Sequence, residues 1–431
     1  MNRLSGAAAA AIFALCLSPV AQGAADEAWI TLDRNTAQQA LIGFAAAGHP
    51  GALVIVDAGR PESLGTAAKG TDVVVARINT TDVELLPGIL HAARKRCGGF
   101  MRHQTREEAE WAAAQANNPE HRTPPPPISY TIDNGPVVMA MLPRIQEPGI
   151  HKTIVSLGNF VNRRYTCPVG VTSATWIHDR WAALSANRPD ITVDFYNHTG
   201  FIQPSVILTI QGTTLPSEVV ILGAHQDSIN GGSSNCATSA PGEDDDASGI
   251  AAIMEVLRIA LRMNYHPQRT VKFMAYAAEE GGLLGSSQIA ATYDQQNINV
   301  VGVMQLDMTN YKGSTGDIYI YQDFTNPTQN TFIGNLVTTY LPGLIKDTTQ
   351  VCGYACSDHA SWTQHGYPAS LPFEAKFSQY DPFIHTSQDT IENCGNTANH
   401  AVKFAKLAAA YMAEVAKGGF TSGAPEGAPA N

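Results

Sequence analysis

Residues 241–261 read PGEDDDASGIAAIMEVLRIAL: three consecutive aspartates, Asp244, Asp245 and Asp246, directly followed by an apolar run of helical pattern. Neighbouring carboxylates repel one another, so their crowding requires a compensating interaction. Placement at a helix N-terminus contributes only about 0.3–1 kcal/mol for each acid. A bound cation would contribute far more, and the flanking segments decide between the two.

Apolar runs of strand length surround this predicted helix. Between residues 204 and 375 they are PSVILTIQG, EVVILGA, TVKFMAYAA, VVGVMQLDM, DIYIYQ and ASLPFEA. Helical stretches at 247–263, 282–293, 327–341 and 396–416 separate several of them. Strands that alternate with helices predict an α/β domain with a largely parallel central sheet.

The domain organisation follows from shifts in composition. Residues 26–122 carry both strand-like and helical runs and predict a small α+β domain, which could be a propeptide, a binding module or part of the enzyme fold. A polyproline linker at 123–128 separates it from the domain at 129–417, because four consecutive prolines form neither helix nor paired strand. Residues 418–431 are rich in Gly, Ala and Pro and predict a disordered tail.

The N-terminus has the shape of a secretory signal peptide over residues 1–25. Arg3 precedes an apolar stretch that ends near Leu17, and small residues follow. The alternatives are a buried N-terminal helix and, because Cys16 lies in the apolar stretch, a lipoprotein. Phe13 is a poor residue for the start of a lipobox. We therefore expect export to the periplasm or the medium.

The bulk composition excludes several classes of partner. The 431 residues are 44% hydrophobic and carry a formal charge of −11. No Lys/Arg cluster is interleaved with aromatics, so we expect no nucleic-acid partner. Beyond residue 25 no segment approaches the roughly 18 apolar residues of a membrane span, so we expect no membrane partner. We take the chain as a monomer, although a dimer would look the same in sequence.

The cysteines predict disulfides. Removal of the signal peptide would take one of the seven cysteines and leave six, an even number in an exported chain. Cys352 and Cys356, in CGYAC, could close a small ring. The pairing of the other four stays open: Cys97, Cys167, Cys236 and Cys394.

Chemically active side chains follow the predicted strands. In open α/β sheets, ligands bind outside the carboxyl ends of the strands. The residues at or near these ends are His225, Asp227, Glu279, Glu280, Asp307 and, in the loop before the last helix, His385. Each alone has an ordinary structural explanation, and an aspartate triplet is also found in calcium loops. Together, two histidines and several carboxylates suit zinc better than calcium.

Acidic side chains that are close in sequence can have different roles. Successive side chains near a strand end point in different directions, so one glutamate of the pair Glu279–Glu280 can bind a metal while the other acts as a base. Asp227, two residues after His225, is expected to accept the second imidazole N–H, as metal-binding histidines usually require.

The chain from about 129 to 417 resembles the M28 metallopeptidases, most closely the secreted bacterial leucyl aminopeptidases with two zinc ions. The segments that carry the resemblance are GAHQDS, PGEDDDASGIAAIMEVLR, YAAEEGGLLGS, QLDMTNYKG, CGYACSDHASW and LPFEAKFSQYDPFIHTSQDT. It implies a mixed, mainly parallel sheet between helices and a cis peptide between Asp245 and Asp246. Residues 26–122 resemble the removable propeptides of related secreted enzymes.

The resemblance also implies a role for each site residue. Asp245 would bridge two zinc ions, with His225 and Asp307 completing one ligand set and Glu280 and His385 the other. Glu279 would be the general base. The pocket for the first side chain of a peptide with a free N-terminus would be lined by Met308, Tyr354, Phe373, Phe377, Tyr380 and Ile384, and bordered by the Cys352–Cys356 ring. These six could instead be ordinary core residues.

Three alternatives are less consistent with the sequence. A carboxypeptidase or amidase of the same family needs a cation for a substrate carboxylate, and the motif segments show no obvious arginine for it. A non-catalytic binding module would be expected to have lost a ligand or the base. A calcium-stabilised adhesion protein does not explain the two histidines. Glu243, beside the triplet, has no role that the sequence assigns.

Overall fold

The structure is a computed structural model and describes residues 27–56, 72–94, 98–117 and 129–421. The predicted signal peptide, the polyproline linker, Cys97 and the tail beyond residue 421 lie outside the described residues. The parts on either side of the linker have separate sheets and separate main hydrophobic cores, and a small cluster of Met101 with Leu283, Ala355 and Ala360 joins them.

The N-terminal part is a four-stranded sheet covered by helices. The sheet has the order β2-β3-β1-β4, and its pairs are antiparallel. The first helix begins after Asp33, whose carboxylate accepts the Thr36 N–H at 3.0 Å, the usual helix-capping bond. The strands are β1 (Glu27–Asp33), β2 (Leu53–Val56), β3 (Val73–Asn79) and β4 (Met101–His103), and the helices are α1 (Arg34–Ala46), α2 (Leu86–Arg94) and α3 (Arg106–Asn117).

The larger part is built on a six-stranded mixed sheet. Its order is β13-β10-β7-β9-β6-β5. The first four strands of that order are parallel, and the last two pair antiparallel. The predicted mixed, mainly parallel sheet is therefore confirmed. These strands are β5 (Ile191–Tyr196), β6 (Ser205–Ile210), β7 (Leu215–His225), β9 (Arg269–Tyr276), β10 (Asn299–Gln305) and β13 (Ala369–Ser370).

Helices cover both faces of this sheet. The helix after the aspartate triplet is buried almost throughout, which explains its apolar sequence. None of the helices in the described residues is both long and apolar enough to cross a membrane. The helices are α4 (Gly135–Met141), α5 (Glu147–Gly158), α6 (Pro168–Ser185), α7 (Ala247–Arg262), α8 (Leu284–Gln295), α9 (Pro327–Tyr340), α10 (His359–Gln364) and α11 (Ala401–Ala416).

The continuous apolar runs arise because the central strands are covered on both sides. In β7, Val220 and Leu222 pack into the core with α7 and α11, whereas Val219 and Ile221 pack into the core with α8. Two-sided burial removes the alternation of apolar and polar residues that a half-exposed strand would show.

Short strands complete the fold and correct one prediction. β11 (Ile318–Ile320) pairs with β12 (Lys346–Asp347) and β14 (Pro372–Phe373). β15 (Gly419–Phe420) pairs antiparallel with β8 (Tyr265–His266). The predicted disordered tail from 418 was therefore wrong for its first residues, because main-chain pairing holds them against the body of the domain.

Candidate active site

The predicted site residues meet at one edge of the central sheet. His225 is the last residue of β7, Glu279 and Glu280 follow β9, and Asp307 follows β10. These three strands are parallel neighbours, so their carboxyl ends lie side by side. His385 reaches the same place from the loop between β14 and α11, and all five side chains are buried.

The carboxylate of Asp245 lies between the two histidines. Its Oδ1 is 3.0 Å from Nε2 of His225, and its Oδ2 is 3.3 Å from Nε2 of His385. Nε2 of His225 is also 3.5 Å from Oδ1 of Asp307, and Nε2 of His385 is 2.9 Å from Oε2 of Glu280. One carboxylate thus faces two histidine–carboxylate pairs, the arrangement that a bridging ligand requires.

The carboxylate of Asp246 also lies near His225, but it is engaged elsewhere. In the described part of the chain, two buried groups have potential ligand atoms within 4.8 Å of one another: His225, Asp246 and Asp307, and Asp245, Glu280 and His385. The carboxylate of Asp246 accepts main-chain N–H groups of His225, Gly249 and Met308 at 2.8–3.1 Å. Because these bonds hold it as the N-cap of α7, Asp245 is the better bridging residue. The peptide between the two aspartates is cis, as expected.

The donor atoms fit zinc. Among the described residues, neither carboxylate oxygen of Glu279 has a hydrogen-bond partner. Nε2 of His225 and of His385 and the oxygens of Glu280 have close charged neighbours, but no contact of theirs has hydrogen-bond geometry. Buried polar atoms in proteins are rarely left in this state, because the loss of water must be compensated. Imidazole nitrogens and carboxylate oxygens are common zinc ligands.

The charges of the site shift its pKa values strongly. Burial alone would lower the pKa of His385, but the carboxylates of Glu280 and Asp245 raise it to about 10. At His225 burial also lowers the pKa, but the nearby carboxylates, chiefly that of Asp307, outweigh this effect. The pKa of His225 therefore lies well above its usual value. Burial raises the pKa of Glu279 well above its usual range and that of Glu280 to about 7. A metal would displace protons from the two imidazoles.

Asp227 does not make the contact expected of it. Nδ1 of His225 lies 3.1 Å from its main-chain oxygen and 3.6 Å from its carboxylate. The carboxylate accepts the N–H groups of Glu279 at 3.0 Å and Glu280 at 3.3 Å. The expectation of a carboxylate–imidazole bond was therefore wrong: the side chain of Asp227 fixes the loop after β9 because two main-chain donors converge on it.

The six predicted pocket residues form one apolar cluster. Met308, Tyr354, Phe373, Tyr380 and Ile384 are buried together, and the partly buried Phe377 packs against them. Ring centroids of Phe377 lie 5.9 Å from Tyr354 and 5.7 Å from Tyr380. Sequence analysis missed Tyr319, Tyr321 and Leu371, which belong to the same cluster.

A disulfide and an acid hold the border of this cluster. The predicted Cys352–Cys356 disulfide is present, and Asp323 accepts the N–H of Cys352 at 3.0 Å and that of Gly353 at 2.6 Å.

A second disulfide joins Cys167 and Cys236, with a Cα–Cα distance of 5.6 Å. Cys394 forms no disulfide with another described cysteine.

Asp389, which the sequence interpretation missed, and Glu243 join the aspartate triplet to the loop of His385. Asp389 accepts the N–H of Asp244 at 2.8 Å and that of Asp245 at 3.2 Å. Glu243, which had no assigned role, accepts the N–H of Ile391 at 2.5 Å. The loop that carries His385 is therefore fastened to the segment that carries Asp245.

The N-terminal part reaches this site, which no sequence pattern indicated. The ring of His91 in α2 lies 5.3 Å from the ring of His385. A Cβ atom on Gly98 would lie 3.8 Å from Oε1 of Glu279. Glu84 forms an ion pair with Arg164 and accepts the Tyr165 hydroxyl at 2.6 Å. These contacts place main chain of residues 98–99 beside the acid expected to be the base.

Comparison with known proteins places the chain in a family. The pattern of Peptidase family M28 matches residues 205–410. A probable aminopeptidase of Saccharomyces cerevisiae is 34% identical over 310 residues, covering 70% of this chain and 79% of that protein. Leucine aminopeptidase 1 of Trichophyton rubrum is 34% identical over 376 residues, covering 82% and 96%. The chain belongs to peptidase family M28.

Solved structures agree with this assignment. The LapA aminopeptidase of Legionella pneumophila superposes with a TM-score of 0.70 at 27% identity, covering 91% of this chain and 99% of that one. LapB of the same organism gives 0.71 at 26% identity, covering 91% and 100%. The predicted family, the α/β fold and the enzyme class, a zinc-dependent aminopeptidase, are confirmed.

Proposed function

We propose that the protein is a secreted di-zinc aminopeptidase that hydrolyses the N-terminal peptide bond of peptides, with a preference for large apolar first residues such as Leu. The observation that carries the proposal is the Asp245 carboxylate, whose two oxygens face His225 and His385. In this assignment Asp245 would be shared by two zinc ions. Asp307 completes the ligand set of His225, and Glu280 completes that of His385.

Glu279 is the general base in this proposal. Two zinc ions, when bound, polarise the scissile carbonyl and make water a better nucleophile. Glu279 takes the proton of the attacking water and delivers it to the leaving amine. Burial raises the pKa of Glu279 well above its usual range, so its carboxylate is a stronger base than that of an exposed glutamate. Asp227 orients Glu279 through the main-chain N–H that it accepts.

The apolar cluster supports the preference for a large first residue. Its lining is aromatic and aliphatic, and Met308 follows the proposed ligand Asp307 directly, so the cluster adjoins the metal centre. An uncharged pocket of this kind suits Leu, Met or Phe. Several relatives are named leucine aminopeptidase, which agrees with this choice.

The N-terminal domain is proposed to be a propeptide that covers the site. Helix α2 packs on the loop of Gly231 and Gly232, and the N–H of Gly231 donates to the carbonyl of His385 at 2.8 Å. Main chain at Gly98 lies beside Glu279, so a peptide could not approach the base while this segment stays in place. The signal peptide predicted at 1–25 would direct export, and the two disulfides agree with an exported protein.

The covering role is tested with one substitution and a matched control. Glu84→Ala removes the ion pair to Arg164 and the bond from Tyr165, so we expect the full chain to hydrolyse leucyl-anilide several-fold faster. Glu27→Ala breaks the ion pair between Glu27 and Arg77 within the N-terminal sheet and should leave the rate of leucyl-anilide hydrolysis unchanged. Equal rates for both variants and the parent chain would argue against the covering role.

The activity itself is tested by comparing leucyl-anilide with N-acetyl-leucyl-anilide, before chelation, after it and after zinc is restored. The proposal predicts cleavage of the free-amine substrate alone, lost with chelator and recovered with zinc. Equal cleavage of both substrates would mean that the free amine is not recognised, and would favour an endopeptidase or amidase.

A further inference from the structure

A fully buried arginine lies beneath the proposed metal centre. Arg163 follows α5 in the chain, and its side chain has no exposure to solvent. Burial lowers its pKa, and the nearby carboxylates of Asp389, Asp246 and Asp227 oppose that effect. A buried cation is costly to desolvate, so it is retained where its interactions compensate.

The guanidinium group joins two loops that each carry a proposed ligand. Its Nε donates to the carbonyl of Gln226 at 2.8 Å, and its Nη2 donates to that of Gly242 at 2.8 Å. Its Nη1 donates to the carbonyl of Pro241. Gln226 directly follows His225, and Gly242 precedes Asp245 by three residues. One planar group therefore sets the distance between the first histidine and the bridging aspartate.

The main chain of Arg163 belongs to the same arrangement. Its N–H donates to Oγ of Ser228 at 3.0 Å, and that hydroxyl donates to the carbonyl of Ala240 at 2.8 Å. The two loops are thus linked twice. Gly242 has a φ of +54°, and a Cβ there would lie 2.7 Å from Nη2 of Arg163, so this close approach requires glycine.

The hydrogen bonds of the Arg163 side chain depend on the shape of the guanidinium group and not on pairing with an opposite charge. Within the described part of the chain, the guanidinium donates only to main-chain carbonyls and to no carboxylate. The carboxylates that surround it stay available for metals and main-chain donors. A lysine would supply the same charge, but its single ammonium group lacks the planar fork that reaches both loops.

We propose that Arg163 is a positioning residue that holds the loops of His225 and Asp245 in metal-binding geometry before a metal arrives. The proposal rests on the metal centre of the proposed function. It assigns Arg163 no contact with substrate or with the reacting atoms. Its effect is expected on zinc affinity rather than on the turnover of the fully loaded enzyme.

The test measures zinc affinity of the full chain by competition with a chromogenic chelator, at a temperature where circular dichroism shows each variant folded. Arg163→Lys keeps the charge and loses the fork, and Arg163→Met loses both. We expect zinc to bind at least about tenfold more weakly to both variants, as for other residues that orient metal ligands. At saturating zinc, turnover by Arg163→Lys should stay within about threefold of the parent, because the reacting groups are intact.

Arg188→Lys is the matched control. Arg188 is nearly buried and pairs with Asp190 and the carbonyl of Tyr265, in contacts that involve none of the proposed ligands. This variant should lower the melting temperature and leave zinc affinity unchanged. The comparison separates positioning of the site from ordinary structural stabilisation.

The outcomes distinguish the two proposals. If the parent binds zinc and Arg163→Lys binds it equally well, the positioning role is wrong even if the variant is less stable. If the parent binds no zinc, the proposed function fails and the positioning role with it. Should Arg163→Met not fold, the affinity of Arg163→Lys decides the question.

Discussion

The proposed metal centre and the apolar cluster beside it are built in different ways. The centre assembles buried charged residues from positions 225 to 385, and its loops are fixed by main-chain N–H groups that donate to the carboxylates of Asp227, Asp246 and Asp389. The cluster consists of rings and aliphatic side chains that pack on one another. Changes in the centre should therefore affect every substrate, whereas changes in the cluster should affect only which first residue is accepted.

The largest expected effect comes from Asp245→Asn. An amide presents one oxygen where both carboxylate oxygens are needed, so at least one zinc should be lost. Losing the several kcal/mol that a metal contributes to the transition state corresponds to about a thousandfold loss of kcat/KM, on every substrate. Metal analysis and steady-state rates on leucyl- and alanyl-anilides measure it.

Asp317→Asn is the control for this substitution, because Asp317 pairs with Lys403 and Lys312 outside the site. It should retain both zinc ions and full activity. Asp245→Asn with parental zinc content and activity would exclude the bridging role.

The second effect is on the pH dependence of zinc binding. In the metal-free chain the pKa of His385 is about 10, so its imidazole is protonated at neutral pH. Ligation needs the neutral form, and binding must release that proton. Affinity should therefore rise with pH, by about tenfold per unit for one released proton. Titration calorimetry in two buffers of different ionisation enthalpy counts the protons, and an affinity that is flat from pH 6 to 8 would contradict the assignment.

The smallest effect concerns the apolar cluster. Phe377→Ala removes a ring that contacts Tyr354 and Tyr380. We expect kcat/KM for leucyl-anilide to fall about tenfold, the usual scale for lost apolar contact, while that for alanyl-anilide changes little. Phe195→Ala, at a partly exposed position on β5, should alter kcat/KM for neither substrate. Equal losses on both substrates would mean that the cluster is core rather than pocket.

Much of this arrangement could be predicted from sequence because it is local. Long apolar runs indicate strands that are buried on both faces, and the residues that follow them must lie at one edge of a parallel sheet. His225, Glu280 and Asp307 were found in this way. His385 was a candidate from its place in the loop before the last helix, but its pairing with Glu280 came only from the resemblance, since no strand leads directly into that loop.

Other features depend on contacts between distant segments. Three contacts join residues that no periodicity connects. They are the Cys167–Cys236 disulfide, the hydrogen bond from the Asp245 N–H to the Asp389 carboxylate, and the contact of His91 with His385. Arg163 lies in the loop between α5 and α6 and has no metal-binding spacing. Pairing of β15 with β8 overrides a composition that is typical of disorder. Tertiary contacts determine each of these.

The central claim is that, of two adjacent glutamates, Glu279 is the general base and Glu280 is a metal ligand. The variants Glu279→Gln and Glu280→Gln test it most directly. Zinc content and turnover are measured on both purified variants in the same experiment. The account predicts that Glu279→Gln keeps both zinc ions and loses most of its turnover, whereas Glu280→Gln loses zinc as well. Loss of zinc from Glu279→Gln with full zinc in Glu280→Gln would contradict it and reverse the two roles.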